Sequence, residues 1–201
     1  MPNQYHMRWL SVLVFFLVLG CVQKGGDEMN LTGKKVVMII APENFRDEEL
    51  MRPKEILQGY GAKVVIASKG VEVATGMLGA SVPVDLDISD VNVDDYDAVI
   101  FVGGSGASTY FNDTTAHEIA KTAYEKGRVI GAICIAPSTL ANAGVLNGKR
   151  ATSWPSERKN LESKGATYVE QPVVVDGKIV TANGPSAASE FGKKIAELLG
   201  S

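Results

Sequence analysis

Two side chains in this sequence stand where chemistry could be done: Cys134 and Glu49. The apolar run Val129-Ile130-Gly131-Ala132-Ile133 reads as a buried strand and stops at Cys134. Pro137 suits the first turn of a following helix, where its missing N–H costs nothing. A cysteine at such a turn sits under the positive end of a helix dipole, among unpaired backbone N–H groups. Both effects favour thiolate over thiol. The expectation is a depressed thiol pKa and a nucleophile or oxidation-sensing group; the bland alternative is a small buried hydrophobe.

Glu49 is picked out by helical geometry. At about 100° per residue, and with Leu50 taken as zero, Leu50, Pro53, Ile56, Leu57 and Tyr60 fall on one apolar face spanning about 120°. Glu49 falls inside that face. Glu48 falls on the wet side with Arg52 and Glu55, and Asp47 reads as the helix N-cap. A carboxyl aimed inward is costly unless it is paired or protonated. The alternative for Glu49 is a bond to the helix's own first amides. A third feature is the turn Gly103-Gly104-Ser105-Gly106 after Ala98-Val99-Ile100-Phe101-Val102, where glycines let the backbone approach a ligand. It has neither GxGxxG spacing nor a Walker lysine, which argues against nucleotide binding.

The elements that must position these groups alternate. Lys35 to Ile40 and Lys63 to Ala67 read as strands, with a helix from Asp47 to Tyr60 between them. A weaker β region covers Val71 to Val84, and a helix runs from Thr115 to Lys126. Beyond the cysteine come a short strand from Gly148 to Ser153, a helix from Ser156 to Lys164 and a hairpin. In the hairpin Val173-Val174-Val175 and Lys178-Ile179-Val180 flank the turn pair Asp176-Gly177. An amphipathic helix from Ser186 to Leu199 closes the chain. This is an α/β pattern with a mostly parallel sheet and helices on both faces, whose ligands bind outside the carboxyl ends of the strands.

The first residues stand apart. Arg8 precedes the apolar run Leu10 to Leu19, which ends at Gly20-Cys21. About 20 apolar residues would be needed to span a bilayer, so the run reads as a secretory signal over residues 1–20. Val18-Leu19-Gly20-Cys21 also resembles a lipobox, which makes Cys21 a lipidation candidate; an uncleaved anchor is the alternative. Residues 21–33 read as a polar tether, and residues 34–201 suit one domain. Without residues 1–20 the chain carries 19 basic and 23 acidic residues, a net charge of −4. With no basic run, a nucleic-acid partner is not expected. Cys134 is then the domain's single cysteine, so an intradomain disulfide is excluded.

Taken in order, Glu49 four residues before Pro53, Gly103-Gly104, Ala132-Ile133-Cys134 with Pro137, Gly144 to Ser153 and the Val173 to Val180 hairpin resemble the ThiJ/PfpI superfamily of deglycases and intracellular peptidases. The resemblance covers residues 34–201. It implies a flavodoxin-like three-layer sandwich, of class I glutamine amidotransferase-like type, with a nucleophile elbow at Cys134 and a homodimer. It also implies that Glu49 hydrogen-bonds the cysteine and that the Gly104 and Ile135 N–H groups form an oxyanion site. Ile135 stands where peptidase-like members carry histidine, and Trp154 stands where relatives often carry histidine or tyrosine near the site. His6 lies in the signal and His117 on a solvated helix face, so a Cys-His peptidase is not expected.

The expected function is therefore a cofactor-independent enzyme acting on small reactive aldehydes, of glyoxalase III or deglycase type. Cys134 would form a hemithioacetal and Glu49 would shuttle the proton, with no metal. Alternatives are a non-catalytic redox or stress-response protein whose Cys134 is an oxidation sensor, and a small-molecule binding module. The chain is expected to be exported and membrane-anchored through its N-terminus. Replacing Cys21 with Ala should then abolish membrane partitioning and change electrophoretic mobility in the native host; unchanged partitioning and mobility would rule out lipidation at Cys21.

Overall fold

A computed structural model describes Met1 and residues 29–201. The expected signal from residue 2 onward, His6, Cys21 and most of the expected tether lie outside the described residues. Among those described, no helix is long and apolar enough to cross a membrane.

The chain runs through β1 (Lys35–Ile39), β2 (Glu43–Phe45), α1 (Asp47–Gly59), β3 (Lys63–Ser68), β4 (Val73–Gly76), β5 (Ser81–Pro83), β6 (Leu86–Asp87) and β7 (Ala98–Phe101). It continues through α2 (Thr114–Glu125), β8 (Val129–Ile133), α3 (Pro137–Asn142), β9 (Arg150–Ala151), α4 (Arg158–Ser163), β10 (Thr167–Tyr168), β11 (Val173–Asp176), β12 (Ile179–Ala182) and α5 (Ala188–Gly200). Seven strands form one sheet in the order β11-β12-β8-β7-β1-β3-β6. Every neighbouring pair is parallel except β11–β12. The Asp176-Gly177 hairpin is thus as expected, with Gly177 at φ 60. The strand expected over Gly148 to Ser153 shrinks to two residues, because its partner β10 offers only two.

Central strands buried on both faces read as unbroken apolar runs: β1 from Val36 onward, β7 and β8 are buried throughout. Helices α1 and α5 pack against each other on one face, with α5 lying on β8 and β12. On the other face α2 contacts β7, β8 and α3. Asp113 caps α2, its carboxylate accepting from Ala116 N–H at 2.9 Å. The result is the flavodoxin-like sandwich expected of the sequence.

The register aligns the strand ends that matter. Ile39 of β1 pairs with Phe101 of β7, and Phe101 pairs with Ala132 of β8. The segments leaving these three adjacent strands therefore emerge side by side at the carboxyl edge. They are the loop to α1, the Gly103-Gly104 turn and Cys134. Position 192 fixes how closely α1 approaches: a Cβ on Gly192 would stand 2.8 Å from the Cα of Pro53 in α1. Backbone cannot yield as a side chain can, so Gly192→Val should wedge α1 off α5. Overpacking of this kind costs roughly 1–3 kcal/mol, which should appear as a lower urea midpoint. Exchange of exposed Lys193 for Ala should leave the midpoint within error; equal midpoints for both variants would disprove the wedge.

Candidate active site

Cys134 adopts φ 62, in the left-handed region that only one other non-glycine residue of the described chain visits, Asn44 at φ 58. Such a conformation costs about 1–3 kcal/mol and persists only where the surroundings over-determine it. Here both backbone groups are held. The Cys134 N–H donates to the Ala182 carbonyl of β12 at 2.9 Å, and its carbonyl accepts from Trp154 N–H at 2.7 Å. The side chain is partly buried and lifted off the sheet edge, as a nucleophile elbow requires.

Space for the Cys134–Glu49 pair exists because position 103 has no side chain. A Cβ there would lie 2.5 Å from the Cys134 Cβ and 2.6 Å from the Ile133 carbonyl oxygen, and would strike the Glu49 carboxyl. Gly104 takes φ 97, and a Cβ on it would meet the Asn44 carbonyl oxygen at 2.5 Å. The loop before α1 therefore rests directly on this turn, secured by Arg46 N–H donating to the Gly103 carbonyl at 2.9 Å. That contact carries Glu49, in the first turn of α1, to the thiol.

Glu49 is fully buried, as the helical projection requires. Neither carboxyl oxygen closes a hydrogen bond of ordinary geometry; the polar groups facing it are the Cys134 thiol and the Gly103 N–H. Burial pushes its pKa up to about 8, so the carboxyl is largely protonated at neutral pH. The expected depression of the Cys134 pKa is overturned: burial first, and the Glu49 charge second, push the thiol up to about 12. The Gly104 and Ile135 N–H groups pull the other way and are outweighed. Two such groups titrate as one unit, and while Glu49 keeps its proton its charge does not oppose the thiolate.

The site opens into a cavity of about 550 Å³ whose walls include Met77, Phe111, Trp154 and Pro185, with Cys134, Glu49, Gly104 and Ile135 among its lining. Trp154 is 47% exposed and forms part of the rim. Gly103 does not line the cavity; it underlies the pair. Asp47 is not the N-cap. Arg46 takes that place without a side-chain bond, and the Asp47 carboxylate instead accepts from Leu78 and Ala80 N–H, both at 2.8 Å. It thereby ties α1 to the β4–β5 turn that brings Met77. His117 is not simply solvated either. Its Nε2 bonds the Phe111 carbonyl at 2.9 Å, which also accepts from Asn142 Nδ2 at 2.8 Å, and His117 does not line the cavity. Ser105 of the glycine turn lines it as well; sequence reasoning missed Arg46, Ser108 and Glu157, all of which line it. Among the described residues no group of three or more His, Cys, Asp or Glu side chains is placed to hold a metal ion.

A carboxyl whose pKa is raised from an ordinary 4.5 to about 8 on folding stabilises the protein below the unfolded value. That stability is lost as pH rises through the folded one. Relative to Glu49→Gln, the wild type should therefore lose stability between about pH 4.5 and 8, on the order of a few kcal/mol, measured by urea unfolding. The same variant removes the charge that opposes the thiolate, so Cys134 should react with iodoacetamide faster than in wild type at pH 9. A constant stability difference across that window would disprove the buried proton.

A family model for the DJ-1/PfpI family matches residues 34–198. A Methanocaldococcus jannaschii protein, MJ0967, is 39% identical over 96% of this chain and 98% of its own length. That alignment extends well into the first 33 residues. The Pyrococcus abyssi deglycase PYRAB04690 is 35% identical over 81% of this chain and 98% of its own. A Bacillus subtilis relative with a provisional cysteine-protease name, YraA, is 33% identical over 82% and 98%. Among solved structures, a ThiJ/PfpI domain protein from Brachyspira murdochii superposes with a TM-score of 0.81 at 31% identity, covering 83% of this chain and 98% of that one. With the elbow cysteine and its buried glutamate in place, the chain belongs to the DJ-1/PfpI family.

Proposed function

We propose that this protein is a cofactor-independent, cysteine-dependent enzyme acting on small reactive aldehydes, of deglycase or glyoxalase III type. The observation that carries the reading is the buried pair itself: a protonated carboxyl against a thiol, opening into a cavity large enough for a small carbonyl compound. A burial-raised carboxyl suits proton transfer near neutral pH. As the Sγ–C bond forms, the thiol proton passes by way of Glu49 to the carbonyl oxygen, giving a hemithioacetal. The Gly104 and Ile135 N–H groups steady the charge that develops on that oxygen. The names of the deglycase relatives support the same class.

A Cys-His peptidase reading lacks its base, because Ile135 follows the nucleophile and no histidine among the described residues lines the cavity. A homodimer acting at the cell surface, held through its N-terminus, completes the proposal. The redox reading draws on the same two N–H groups, which would also hold a sulfinate oxygen on Cys134.

Methylglyoxal turnover separates these readings. Cys134→Ser should abolish it, and Glu49→Gln should lower kcat by about 10² to 10⁴ while leaving Cys134 open to alkylation. Wild-type protein that turns over no aldehyde yet forms Cys134 sulfinate cleanly in mild peroxide would overturn the enzyme in favour of the sensor.

A further inference from the structure

Among the described residues, three charged ones line the cavity: Arg46, Glu49 and Glu157. The Arg46 guanidinium is bound by Glu48 through two bonds, Nε to Oε2 at 2.8 Å and an Nη to Oε1 at 3.1 Å, so its charge is compensated. Glu49 is buried and holds its proton. Glu157 is different. Its Oε2 accepts from Ser138 Oγ at 2.6 Å and its Oε1 from Ser156 Oγ at 2.7 Å. No salt bridge reaches it among the described residues.

The carboxylate is also fixed in place. Ser138 is completely buried in α3, four residues beyond the nucleophile. Its Oγ accepts from Asn160 Nδ2 at 3.0 Å, and the same Nδ2 donates to Asn142 Oδ1 at 3.1 Å. This chain of bonds joins α3 and α4 and aims the Ser138 hydroxyl at Glu157. Two neutral hydroxyls orient a carboxylate but leave its charge intact. The cavity it borders is walled in part by Met77, Phe111, Ile135, Trp154 and Pro185, so its charge is screened less there than in bulk water.

We propose that Glu157 is a specificity residue that makes the site select carbonyl compounds bearing a cationic ammonium group and reject those bearing a carboxylate. An ammonium group would take the lone pairs that Ser138 and Ser156 leave free, placing the aldehyde carbon toward Sγ. Ser138 and Asn160 act as positioning residues. The inference rests on the carbonyl-processing reading, and its test needs no turnover.

The full chain is treated with three methanethiosulfonates: the cationic trimethylammonioethyl, the anionic sulfonatoethyl and, as an uncharged reference, the methyl reagent. Each forms a mixed disulfide with the Cys134 thiolate and releases methanesulfinate. Modification is followed by mass on the peptide containing Cys134. The cationic reagent should react faster than the anionic one, and Glu157→Gln should reduce their rate ratio by about tenfold with the neutral rate within about twofold. Glu157→Asp, which keeps the charge, should keep the wild-type order, and added salt should compress the ratio. A ratio unchanged in Glu157→Gln overturns the proposal. So does an equal change for all three reagents, or an aspartate variant indistinguishable from glutamine. Absence of aldehyde turnover alongside the expected ratios would instead remove the enzyme reading and leave the charge selection standing.

Discussion

The left-handed backbone at Cys134 is the constraint around which the rest of the site is arranged. A β-carbon in that conformation is crowded by its neighbours, and the surroundings answer with two backbone bonds and one missing side chain. Parallel pairing of β12 with β8 supplies the acceptor at Ala182. The segment after β9 supplies the Trp154 donor. The absent side chain at position 103 supplies the room. Each comes from a different strand end, so the elbow exists only when β7, β12 and the segment after β9 meet at the end of β8.

Around that elbow the electrostatics are set by burial more than by dipoles. Helix α3 has six residues, and the N–H groups that favour the thiolate, those of Gly104 and Ile135, lie outside it and bear on the thiol less than desolvation does. The consequence is a resting site that holds its protons at neutral pH. A thiol that stays protonated at rest reacts sparingly with stray oxidants and electrophiles.

Much of this was legible in the chain. The inward angle of Glu49 follows from a period of 3.6 residues, the hairpin from Asp176-Gly177, and the elbow from an apolar run ending at Cys134 before Pro137. What was not legible depends on partners distant in sequence. Asp47 resembles an N-cap because the amides it binds lie 31 and 33 residues further on. Glu157 reads as one more charge on a short polar helix until Ser138, 19 residues before it, is seen to bond it. The direction of the Cys134 shift required knowing how much protein covers the thiol, which no local spacing reports.

The bond from Trp154 N–H to the Cys134 carbonyl has a further bearing, on how such a site can diversify. The segment that walls the cavity with Trp154 and carries Ser156 and Glu157 is the same segment that pins the nucleophile's backbone. Lengthening or shortening it would release Cys134 along with the wall. Side-chain exchange on a fixed loop is therefore the route left open for this edge of the pocket to acquire new ligands, while insertions must find their place elsewhere on the rim.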